Sequence, residues 1–467
     1  MKGKVFFIYF LVAVLAIGIS GGFASTGIVK DDPERKITIP DERLIELKAK
    51  LAYNGEDVFW RFEWDAGEDS SIHQSYLVYR DGKWQKHKTN NQDENRFMED
   101  RFAMMLDDGS VEFFEQYGGF ITATSDMNNM LNPANPEETK ELLGKDYVRK
   151  FLPETRYDKN DWRTVKSKED LDKLVDAGYF LDLWHWKAHR SNPIGYVDDN
   201  WVREDRKNDE GKAGSSNWDE ELEQPKYMFD PNKTNQYAME WDKVINRHYT
   251  TEDYYYLAED IMVEYDPQHE WKEGDVLPEL IVSPIEGGRA DIFAQGVLLD
   301  GKWHLDMQRA MDTGKPREDK IIRDQGKYTV AFAIHRNSSS RYHLTSFPFT
   351  IGFNRDAEIE ATYFEGKLPP WDQIEWTTIK LFYPGQITWD HAMNPEAHAG
   401  GDYVQNKIPL KDFHTEDEFS YYGVESEFRS EILNQWLLTM GAVSLFVILF
   451  SFGVVRAAAN VERSEEE

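Results

Sequence analysis

Three stretches carry the residue types that can do chemistry, and all three sit in aromatic or methionine-rich surroundings. "LDLWHWKAHRSNP" places His185 between Trp184 and Trp186 and adds Lys187 and His189. If this stretch is extended, His185 and Lys187 share one face and the tryptophans the other; if helical, His185 and His189 stack at i and i+4, a spacing that suits a divalent metal. In "RYHLTSF" a period of two sets Arg341, His343 and Thr345 on one face and Tyr342, Leu344 and Ser346 on the other. Arg beside His suits the rim of an anionic cofactor, because guanidinium pairs bidentately with carboxylate. The third group is Met104, Met105, Met127 and Met130. Thioethers usually fill cores, and they also serve as axial ligands to iron. His391 and His398 lie seven residues apart, a non-specific spacing.

The rest of the chemical inventory is defined by exclusion. There is no Gly-rich phosphate loop, G-x-S-x-G elbow, H-E-x-x-H or EF-hand loop, which disfavours an enzyme with its own chemistry. The chain has no cysteine, so disulfides, thiolate metal sites, iron–sulfur clusters and thioether-linked c-type haem are all excluded. A formal charge of −31 argues against nucleic acid and anionic membrane surfaces as partners. Aromatics at 14 %, including 15 Trp, argue for a folded chain with a large core.

The elements that must position these residues read as mainly β. "DVFWRFEWD" alternates Val58, Trp60, Phe62 and Trp64 with Phe59, Arg61 and Glu63, the pattern of a strand. Asp81-Gly82 and Asp300-Gly301 each stand between two such runs and predict tight hairpins, since both central positions of the turn require positive φ. "KYTVAFAIHR" and "RYHLTSFPFTIGF" predict further strands, the second limited by Pro348. Helices are expected in "DERLIELKAKLA", "PEETKELLG" and "KEDLDKLVDAG". The polar run from Arg203 to Asn235 reads as a surface insertion, taken to residue 245, within a β domain spanning residues 38–355. Residues 356–432 read as irregular structure and a stalk.

Two apolar runs set the expected topology. Residues 1–24 show the basic, apolar and small-residue order of a secretory signal peptide. Trp436 to Val455 offers about 20 uncharged residues, enough to cross a hydrocarbon core of roughly 30 Å; a transmembrane helix is placed at 433–456 with a short cytoplasmic tail at 457–467. Export of the N-terminus then puts the bulk of the chain on the extracytoplasmic side.

From about residue 55 to about residue 400, the series "EDRFAMML", "GGFITATSDM", "LDLWHWKAHRSNPIGYVDDNW", "GRADIFAQGVLLDGKWHLDMQRAM", "YTVAFAIHR", "SSRYHLTSFPFTIGF" and "LFYPGQITWD" resembles, in order, the ethylbenzene-dehydrogenase gamma-subunit-like haem-binding family. That family includes cytochrome subunits of molybdenum enzymes related to dimethyl sulfoxide reductase. The resemblance implies a β-sandwich akin to DOMON and CBM9-like carbohydrate-binding modules, one noncovalent haem b, and single-electron exchange with partner oxidoreductase subunits. Gamma subunits use a Met and a Lys as axial ligands; the Lys falls in the segment matching "RYHLTSF", so the resemblance puts His343 in its place, beside Arg341. For the second axial ligand it leaves Met130 or His185. The relatives' covalent haem motifs have no cysteine counterpart here. The competing expectation is a haem-free β-sandwich that binds carbohydrate or protein, or anchors a complex, at the outer face of the membrane.

Overall fold

The structure is a computed structural model that describes residues 44–87, 97–128, 130, 132–211, 213–338, 342–385, 387–395, 400–412 and 429–465, with Gly18, Glu416 and Phe419. The signal-peptide run, Arg341, His398 and most of the expected stalk lie outside the described residues. Two compact units result, one built on residues 37–423 and the other containing the C-terminal segment from residue 424.

The larger unit is mainly β. Thirteen strands share one sheet and are numbered here in chain order: β1 (Leu44–Tyr53), β2 (Asp57–Asp65), β3 (Arg101–Asp107), β4 (Leu181–Lys187), β5 (Asp198–Val202), β6 (Arg206–Asn208), β7 (Ile292–Leu299), β8 (Lys302–Ala310), β9 (Lys327–His335), β10 (Leu344–Thr345), β11 (Phe349–Phe353), β12 (Ile359–Tyr363) and β13 (Thr377–Phe382). The path runs β7-β8-β2-β1-β12-β11-β9-β3-β4-β5-β6, and β13 bridges β1 to β10, which pairs with β9.

Both Asp-Gly hairpins form. Asp300 (φ 50°) and Gly301 (φ 75°) join β7 to β8, and Asp81 (φ 52°) and Gly82 (φ 75°) join Tyr76–Arg80 to Lys83–His87. The core is aromatic and built from alternate residues. Trp60, Phe62 and Trp64 of β2 pack with Phe102 of β3, Trp184 and Trp186 of β4, and Trp303 of β8. Phe62 and Phe102 stand 4.5 Å apart between ring centroids, and Trp186 and Trp303 4.9 Å. Strands β2 and β3 are remote along the sheet path, so these contacts bring distant parts of the sheet onto one core.

Three expectations change. "LIELKAKLAY" is strand β1, because Leu47, Ala49 and Leu51 are buried at alternate positions while β2 and β13 satisfy its backbone on both sides. The 203–245 insertion contributes β6 and short strands, since its Trp218, Met228 and Phe229 bury into the main core. Residues 359–382 add β12 and β13 to the sheet where irregular structure was expected. The other two helices form as expected: α1 (Pro136–Leu143) is capped by Asn135 and α2 (Lys168–Asp176) by Ser167. The second unit contains α3 (Arg429–Glu465); its stretch Leu433–Arg456 is long and apolar enough to cross a membrane.

Candidate functional site

"LDLWHWK" resolves as strand β4, not helix. Trp184 and Trp186 are fully buried in the core. Burying a large apolar side chain contributes on the order of 2–3 kcal/mol, and a single conformational preference is worth less than about 1 kcal/mol per residue. The tryptophans therefore choose the strand and its orientation. Leu183, His185 and Lys187 are left on the other face.

That face is the floor of a cavity of about 450 Å3, within the size range of cofactor sites. The sheet register explains its composition. One row across the strands runs Asp198, His185, Ala103, Ala333, Thr345, and the next contains Lys187, Arg101 and His335. Ala103, Ala331 and Ala333 keep the middle of the floor low, so the cavity exists because three adjacent positions carry only a methyl group. The facing wall is formed by Gly119, Phe120, Ala123, Met127 and Met130, continued by Tyr147–Lys150 and by Pro384, Gly385 and Ile387.

His343, His185 and Met130, far apart in sequence, all line this cavity. His335 joins them and was missed by sequence reasoning. Its ring stacks on His343, with centroids 4.7 Å apart and planes at 21°, and lies 6.4 Å from that of His185. The strand register puts it there: continuing the β9–β10 pairing sets residue 343 opposite 335, a pairing no local sequence signal specifies. His189 turns away and packs against Tyr255, so the His185/His189 metal pair expected from a helix does not form. His391 stands in the Trp389–Met393 helix and is not part of the lining.

The hydrogen bonding of His185 restricts its chemistry. Arg206 Nη2 lies 2.6 Å from His185 Nδ1. A guanidinium only donates, so Nδ1 accepts and the neutral ring carries its proton on Nε2. Burial first, then the charges of Arg206, Lys187 and Arg101, hold the His185 pKa well below that of a free imidazole. As arranged, His185 is a neutral donor at Nε2 rather than a lone pair facing a metal.

The cavity is basic inside an acidic protein. Arg101, Lys187, Arg190, Arg206 and Arg289 line it together with Arg149 and Lys150. Lys187 and Arg289 both pair with Asp198, whose carboxyl burial would raise and these two cations hold below the usual range. Burial likewise opposes Glu99, but Arg190 and Arg101 bring it down to about 2. Arg206 pairs with no carboxylate among the described residues; it spends its donors on His185 and on Asn200 Oδ1 at 3.1 Å. Arg149 Nε is buried and makes no hydrogen bond among the described residues. The arrangement can therefore accept an anion at one side of a space whose walls offer imidazole and thioether.

The family model described as ethylbenzene dehydrogenase matches residues 25–345. The chain belongs to the ethylbenzene dehydrogenase family. The match covers β1 through β10 and so includes every floor strand of the cavity. No curated protein matches this family member in sequence.

Proposed function

We propose that this chain is a membrane-anchored, extracytoplasmic b-type cytochrome subunit that relays single electrons to or from a partner oxidoreductase of the dimethyl sulfoxide reductase type. Family membership supports a subunit of such a complex, and the apolar stretch Leu433–Arg456 supports a single membrane anchor. The curled aromatic core supports the two-layered sandwich of haem-binding modules. The basic and apolar run at residues 1–24 supports export.

The observation that carries the proposal is the cavity's donor set: stacked His335 and His343 on the sheet side, Met127 and Met130 on the facing wall, and guanidinium groups beside them. These residues fit a haem. When bound, haem b supplies reversible one-electron Fe(II)/Fe(III) chemistry in a site of low polarity. His343 is the axial donor of choice, and His335 orients it by ring stacking. A haem held here would take His343 from the sheet side and a thioether from the facing wall rather than His185, whose Nδ1 is already engaged by Arg206. Met127 Sδ already accepts the Thr124 N–H at 3.3 Å, which favours Met130. Arg149 and Arg206 supply donors for propionate carboxylates, and Ala103, Ala331 and Ala333 provide the flat floor.

The test is the visible spectrum of the full chain purified in detergent with haemin supplied. A Soret band whose position moves in His343→Ala and in Met130→Leu is expected. A protein that takes up no haemin overturns the proposal in favour of a haem-free binding or anchoring subunit.

A further inference from the structure

The opposite face of the cavity strands carries a second constellation. Asp182 in β4 and Asp199 in β5 alternate with the cavity residues Leu183, Asp198 and Asn200 and so project away from the cavity. Asp319, in the loop after β8, meets them, and one carboxylate oxygen from each of the three lies within 4.8 Å of the others. Asp209, directly after β6, is held alongside by its N–H, which donates to the Asp199 carbonyl at 3.1 Å. None of the four is more than 3 % exposed.

Half of each of three carboxylates is accounted for. Asp182 Oδ2 accepts from Arg309 Nη1 at 2.6 Å and from the Lys320 N–H at 3.0 Å. Asp199 Oδ1 accepts from the Asn200 N–H at 2.9 Å, and Asp319 Oδ2 from Thr313 Oγ1 at 2.5 Å. Asp182 Oδ1, Asp199 Oδ2, Asp319 Oδ1 and both oxygens of Asp209 are buried with no hydrogen-bond partner among the described residues, Arg309 Nη1 standing 4.0 Å from Asp319 Oδ1. Among the described residues Arg309 is the guanidinium that bonds this cluster, with Arg203, Lys315 and Lys320 as further positive charges around it, and carboxylate oxygens buried without a hydrogen-bond partner are strongly unfavourable.

We propose that Asp182, Asp199, Asp209 and Asp319 form a structural calcium site. The donors are all carboxylate oxygens, which select a hard cation. Calcium takes about six to eight oxygens in flexible geometry, so one oxygen each from Asp182, Asp199 and Asp319 forms the nucleus of the shell, and Asp209, held alongside, and water complete it. Magnesium demands a near-ideal octahedron, which carboxylates fixed on separate strands and a loop fit less well than the flexible shell of calcium. The bound ion ties β4, β5, the segment after β6 and the loop after β8 together. It thereby fixes the strands whose other face presents His185, Asp198, Asn200 and Arg206 to the cavity.

The test is chelator-treated full-length protein in detergent, followed by thermal unfolding with Ca2+, Mg2+ or Mn2+ added singly, and by metal analysis after dialysis against Ca2+. Expected is about one calcium per chain and a rise in Tm with Ca2+ that exceeds the rise with the other ions. Asp199→Asn and Asp209→Asn should abolish that rise, yet unfold in chelator at or above the wild-type temperature, because each replaces a buried carboxyl whose ionisation the site opposes with a neutral amide of the same shape. A wild-type Tm indifferent to all three ions, a calcium response retained in both variants, or a response to Mg2+ or Mn2+ without one to Ca2+ overturns the assignment.

Discussion

His335 and His343 lie ring on ring, 4.7 Å between centroids, at the junction of β9 and β10. Because the two imidazoles stack on each other, a bound haem would be held by His343, and His335 would orient that ring. His343→Ala is expected to lose the native Soret position, whereas His335→Ala should keep it and broaden or shift it slightly. Absorbance of the two variants after haemin loading checks this, and equal spectra would remove the distinction between ligand and orienting residue.

Arg206 is the buried cation that donates to His185, with no carboxylate partner of its own among the described residues. Arg206→Gln removes a charge-assisted donor, typically worth about 2 kcal/mol, or roughly thirtyfold in affinity. Haemin retention against apomyoglobin should weaken by about that factor, with the Soret position unchanged.

Ala333 occupies the centre of the cavity floor, in register with Ala103 and Thr345. Ala333→Leu fills that space and should abolish haemin uptake while Tm falls little. By contrast, Trp186→Ala on the core side of β4 should lower stability by about 3–5 kcal/mol, because Trp186 is fully buried against Trp303 and Trp64. Denaturant unfolding and haemin titration of both variants separate the two faces of the sheet.

The acidic cluster predicts a pH dependence whose sign is set by burial. Burial, then repulsion from neighbouring carboxylates, pushes Asp209 up to about 9 and Asp319 to about 7. Asp182, Asp199, Asp291 and Glu318 add negative charge there, and Arg309 and Arg203 oppose it. An unfolded aspartate titrates near 3.9. The folded chain therefore binds more protons over that window, and stability falls as pH rises from about 4 through these raised values. In chelator, Tm should drop between pH 5 and pH 9; saturating Ca2+ should flatten the drop, since the ion replaces the protons.

What the sequence determined by itself was local. Asp-Gly turns, period-two aromatics, capped α1 and α2 and the C-terminal apolar run each encode their structure within a dozen or two dozen neighbouring residues. The ordered motifs also led to the family. The sequence did not decide β1, whose apolar positions fit a helix and a strand alike until β2 and β13 paired with it. Nor did it link His185, His335, His343 and Met130, which share a cavity only because antiparallel register aligns β4, β3, β9 and β10. The four aspartates were still less legible, since each is an ordinary acidic residue in an acidic chain. Only the packing that excludes water from their unpaired oxygens makes them a site.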